Sequence, residues 1–109
     1  MPKPVTFLGS SLHDLRDFPH EARRDAGFQL DKVQRGLLPD DWKPIATMPS
    51  GVQEIRVRDG SGIYRVVYVA TFSEAVYVLH AFQKKVRKIS RADLAVVRRR
   101  YDELIWSRR

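Results

Sequence analysis

Between residues 52 and 82 apolar and polar positions alternate with a period of two, and on either side the period becomes helical. Residues 52–58, 63–70 and 75–82 are rich in Val, Ile and Tyr and predict three strands. Asp59-Gly60-Ser61-Gly62 predicts a hairpin turn between the first two, and residues 71–74 predict the turn before the third. Upstream, Leu12, Leu15 and Phe18 have helical spacing behind Ser10 and Ser11, and Asp14 stands where a capping box would place it. Pro19 closes that helix and suits the first turn of another, which carries Ala22, Ala26, Leu30 and Val33 on one face and stops at Gly36. Residues 37–41 make a turn-rich connector, residues 42–48 leave room for a short strand, and Pro49-Ser50-Gly51 is a further break. Ser90, with Asp93 three positions on, starts a last helix whose apolar stripe is Leu94, Val97, Tyr101 and Leu104. The order α-α-β-β-β-α predicts an α+β domain: an N-terminal helical hairpin packed on a small antiparallel sheet, with a C-terminal helix. No repeat or linker divides it, so residues 1–109 are expected to form one domain.

The turns also set a register. If both hairpins close over four residues, Arg56 faces Arg65 and Arg65 faces His80. One sheet face then carries Ile55, Val57, Tyr64, Val66, Tyr68, Tyr77 and Leu79 as core, and the other carries Glu54, Arg56, Arg58, Arg65, His80 and Phe82. Facing arginines repel unless an anion lies between them, and guanidinium forks match phosphate oxygens. His80 is a candidate for proton transfer, Lys84 and Lys85 follow on the same strand, and Phe82 offers a ring for a base. A plainer account stands beside this one: Arg56 pairs with Glu54 or Glu74 on the surface, and His80 is a structural histidine.

Charge favours the first account. Twenty Lys and Arg against thirteen Asp and Glu give a net charge of +7, and the surplus lies mostly after Gln83. That asymmetry points to a polyanionic partner. Lys43, Arg58, Arg87 and Lys88 join Lys85 and Phe82 as candidate RNA or phosphate contacts. Arg98, Arg99 and Arg100 share one helical turn and are expected on a solvated surface. The chain has no cysteine, His13, His20 and His80 lack metal-ligand spacing, and there is no phosphate-binding glycine motif or serine nucleophile elbow. No apolar run approaches the ~18 residues of a membrane span, and Met1-Pro2-Lys3-Pro4 lacks a signal-peptide core, so a cytoplasmic protein with no membrane partner is expected.

Five segments carry a resemblance: SLHDLRDFP at 11–19, PDDWKP at 39–44, GVQEIR at 51–56, YRVVY at 64–68 and YVLHAFQKK at 77–85. In this order they resemble the phage-related, HigB-type toxins of the RelE/ParE superfamily. The resemblance implies a RelE-like fold and a toxin of a type II toxin–antitoxin system, held by a small helix-turn-helix antitoxin. It also implies ribosome-dependent mRNA cleavage in the A site with neither metal nor cofactor. By position Arg65 matches the arginine of the family's central strand, Arg56 a basic residue of the preceding strand, and Lys84 and Lys85 the basic residues after the last. The tyrosine that some members carry near the C-terminal end is missing from residues 86–90, which leaves His80 or a lysine for proton transfer. Arg65, Lys84, His80 and Arg56 are therefore the candidate catalytic residues. DNA gyrase inhibition, as in the ParE branch, and nucleic-acid binding without toxicity are the alternatives.

Overall fold

The computed structural model describes residues 2–85 and 88–109. Its elements are β1 (Val5–Phe7), α1 (Ser11–Arg16), α2 (His20–Gln34), β2 (Trp42–Pro44), β3 (Val52–Asp59), β4 (Gly62–Val69), β5 (Val76–Lys84) and α3 (Arg91–Ser107). The five strands make one sheet in the order β1-β5-β4-β3-β2. It is antiparallel except at β1, which lies parallel to β5 through Val5–Val76, Thr6–Tyr77 and Phe7–Val78. Three residues are too few to show an alternation, so β1 has no sequence signal of its own.

Helix boundaries follow the expected punctuation. Pro19 is the N-cap of α2, and Gly36 follows its C-cap with φ of 80°, a conformation glycine adopts without a Cβ penalty. Ser90 caps α3, its Oγ accepting the Asp93 N–H. Ser10 is the N-cap of α1 but donates its hydroxyl to the Asp14 carboxylate instead of accepting a backbone N–H.

The β3–β4 hairpin closes over the predicted turn, with Arg56 facing Arg65. The β4–β5 register departs from expectation. Val67 faces His80 and Tyr68 faces Val78, so Leu79 is the extra residue of a β-bulge. Beyond it Arg65 faces Phe82, and His80, opposite Val67, stands two pairs along from that row. The bulge also carries Tyr77 and Leu79 to the opposite face from Tyr68, where they join the second core.

Both faces of the sheet are covered, which the predicted hairpin-on-sheet packing did not require. Leu15, Phe18, Ala22, Ala26, Leu30 and Val33 of α1 and α2 pack on Ile55, Val57, Tyr64, Val66 and Tyr68. On the other side Val97 and Leu104 of α3 pack on Val52, Val67, Val69 and Leu79. Arg100 is buried, contrary to the solvated surface expected of it. Its guanidinium donates to the Leu79 carbonyl (2.8 Å) and to Ser10 Oγ (3.0 Å). Gly9 lies against that guanidinium so closely that a Cβ would come within 2.4 Å of Nε, and its φ is 54°.

Candidate functional site

α3 covers the end of its sheet face formed by Val52, Val69 and Tyr77. Nearer the Asp59–Gly62 turn, β2, β3, β4, the segment before α3 and the first turn of α3 line a cavity of about 610 Å³. Lys43, Glu54, Arg65 and Lys88 supply its charges, and Ile45, Ile89 and Leu94 its apolar wall. Lys88 is shared with a second hollow of about 310 Å³ lined by Phe82, Lys84, Lys85, Ser90 and Asp93. The two make one basic cleft across the strand ends.

Arg65 and Glu54 lie at its floor. Each is 1% exposed, and their charges meet at 3.0 Å (Nη1 to Oε2). Lys43 reaches the other Glu54 oxygen at 3.5 Å from the solvent side. A buried carboxylate between two cations holds down the self-repulsion of the cluster. Glu54 is the residue that sequence reasoning passed over, as a surface partner for Arg56. The available signal was an acid on a strand face otherwise lined with cations.

Arg56 bonds Asp41 through Nε and Nη2, at 3.1 and 2.9 Å, and Arg58 reaches the same carboxylate at 3.9 Å. The arginine pair is thus separated by its partners: Arg56 is drawn toward Asp41 and Arg65 toward Glu54. Glu74 pairs with Arg108 and accepts from the Tyr77 hydroxyl. Lys84 stands across from Ile63, half-buried beside the arginines. Partial burial pulls its ammonium below the ordinary lysine range, and the nearby charges of Arg65, Lys43 and Arg56 add to the effect. Lys85 and Lys88 are exposed on the rim, and Arg87 lies outside the described residues.

His80 is turned to Asp93 and Phe82, which line the second hollow. It is buried, its Nε2–H donates to Asp93 Oδ1 (2.7 Å), and Ser90 Oγ donates to the other carboxylate oxygen (2.7 Å). Phe82 stacks on its ring at 4.8 Å between centroids. This chain of contacts ties β5 to the first turn of α3 and holds the rim that carries Lys88. His80 is thereby a brace between elements, and Phe82 is the aromatic surface that the cleft presents. Among the described residues no three His, Asp or Glu side chains gather as a metal site requires, and no helix is long and apolar enough to cross a membrane.

The model of a family described as phage-derived Gp49-like proteins matches residues 13–102. No curated protein sequence is a significant match. Among solved structures, a substituted Escherichia coli toxin RelE in the free state is similar with a TM-score of 0.63 at 19% identity, over 96% of this chain and 99% of that one. A chain of a RelBE toxin–antitoxin complex from Mycobacterium tuberculosis aligns with a TM-score of 0.54 at 20% identity, over 77% of this chain and 100% of that one. The fold is therefore RelE-like.

Proposed function

The chain belongs to the Gp49-like family of phage-derived proteins, and from that membership, its fold and its cleft we propose a HigB-type toxin that cuts ribosome-bound mRNA. The observation that carries the reading is Lys84: an ammonium of lowered pKa in a basic cleft, beside a buried Arg65–Glu54 pair and an aromatic ring. Lys43, Lys85 and Lys88 hold the phosphate backbone, and Phe82 offers a stacking surface to a base.

In the reaction the 2′-oxygen attacks the adjacent phosphorus while the bond from phosphorus to the 5′-oxygen breaks. The products are a 2′,3′-cyclic phosphate and a 5′-hydroxyl. The 2′-proton passes to a water molecule in the cleft, and the Lys84 ammonium gives its proton to the departing 5′-oxygen. Arg65, with Lys43, offsets the negative charge that builds on the phosphoryl oxygens. A lysine of lowered pKa is a better acid for this step than an unperturbed one, because it releases its proton nearer to neutral pH. No metal or cofactor enters this scheme. The toxin acts in the cytoplasm on mRNA in the ribosomal A site and is held inactive by a cognate helix-turn-helix antitoxin.

Tightly controlled expression of wild type and Lys84→Met, with 5′-end mapping on translating ribosomes, tests the proposal. New 5′-hydroxyl ends at codon-phased positions in wild type alone are expected. Growth arrest with intact mRNA and altered DNA supercoiling would instead establish gyrase inhibition, and RNA binding without arrest would establish a nucleic-acid-binding protein.

A further inference from the structure

α3 buries one apolar stripe on the sheet and carries beside it a second row that is only partly covered. Val97 and Leu104 are buried against the sheet, while Leu94, Tyr101, Ile105 and Trp106 turn toward the segment at residues 47–49. Between that segment and the helix run two hollows of about 320 and 360 Å³ that share Arg98 as a common wall. Met48 and Leu94 line the first, and Pro49, Tyr101 and Ile105 the second. Trp106 lines the far end and is 72% exposed, the most exposed large apolar side chain among the described residues. Leu94, Tyr101 and Ile105 beside it are half-buried, so the row is a partly open apolar edge that ends in one fully exposed ring.

The rim is charged in one sense. Arg91 stands at the first hollow, Arg98 between the two and Arg109 beyond the second, where its guanidinium lies over the Trp106 ring at 5.3 Å. Asp102 is the opposing charge, so arginine outnumbers acid three to one. The spacing 91, 94, 98, 101, 105 repeats every three or four residues and follows the helix for about 21 Å.

We infer that this groove docks an amphipathic polypeptide helix with an acidic flank. Its apolar side chains, at i, i+4 and i+7, fill the hollows and its carboxylates meet the three arginines. Charge by itself suits RNA equally. The floor does not: Met48, Leu94 and Ile105 give a sugar-phosphate chain nothing to hydrogen-bond, and Asp102 repels it. The groove adjoins the basic cleft through Thr47 and Leu94, which line both, while Lys43 and Lys84 lie outside it.

The test uses the full chain, labelled with nitrogen-15, and three probes. One is a synthetic helix of about 18 residues with leucines at i, i+4 and i+7 flanked by glutamates; the others are its lysine-for-glutamate counterpart and a short single-stranded RNA. The acidic peptide is expected to shift amide signals at residues 47–49 and along α3, and Arg98→Glu to weaken it at least about tenfold. Trp106→Ala, at an exposed position that leaves the core intact, is expected to weaken it as well. The lysine peptide should give no saturable shift there. Absence of binding by the acidic peptide, binding indifferent to both substitutions, or shifts confined to the Lys43–Lys84 cleft would each overturn the inference. So would RNA displacing the peptide from α3 with the same dependence on Arg98.

Discussion

Removing Arg65 alone leaves Glu54 as a buried carboxylate facing only the half-exposed Lys43. Breaking one side of such a pair costs about 3–5 kcal/mol, whereas replacing both sides by apolar groups is often neutral. Arg65→Met is therefore expected to lower the urea midpoint sharply, and Glu54→Leu/Arg65→Met to recover most of the loss without restoring RNA cleavage. Lys84 gives a second expectation. Burial first, then the charges of Arg65, Lys43 and Arg56, lower its pKa. If its ammonium is the proton donor, cleavage falls as pH rises through that lowered value. Arg56→Gln removes one of the depressing charges, raises the Lys84 pKa and moves the falling limb of the pH–rate profile to higher pH. A limb that stays in place would show that Lys84 is not the donor. The sequence disclosed that Arg56 faces Arg65, because Asp59 to Gly62 admits one close turn. It did not disclose that Asp41 and Glu54 divide the pair, since both acids had equally near alternatives along the chain.

The strands announced themselves by alternation, and α2 and α3 by proline, glycine and serine at their ends. What stayed hidden was Leu79. A bulge is one unpaired residue in an otherwise regular apolar run, and no composition signal marks it. Its effect reaches the site: the row through Arg65 ends in Phe82, while His80 falls two pairs along, opposite Val67. There it bonds Asp93, which also completes the Ser90 cap. Ser90→Ala should cost about 1 kcal/mol in thermal or urea unfolding, the ordinary value of an N-cap. Asp93→Asn should disturb His80 as well, which the chemical shifts of its ring signals would report. Ring signals unchanged from wild type would show that the two elements are not joined through this pair.

At the scale of the whole molecule the basic surplus after Gln83 becomes a cleft, because β5 ends in Lys84 and the chain turns back past Lys88 to start α3. Four lysines, Lys43, Lys84, Lys85 and Lys88, line its solvent side. If each neutralises one phosphate, binding of single-stranded RNA should weaken with salt at a slope of about −3 in log K against log concentration. A slope near zero would remove the cleft from RNA binding. The long-range ties of the fold have a consequence for timing. Val5 pairs with Val76, and Arg100 reaches back to Ser10 across 90 residues. Contacts this distant in sequence close last. During synthesis the first helices therefore emerge without a partner for β1 or a brace at Gly9, and wait for the final helix to leave the ribosome. A protein with the proposed activity would thus leave its own message intact until α3 has formed.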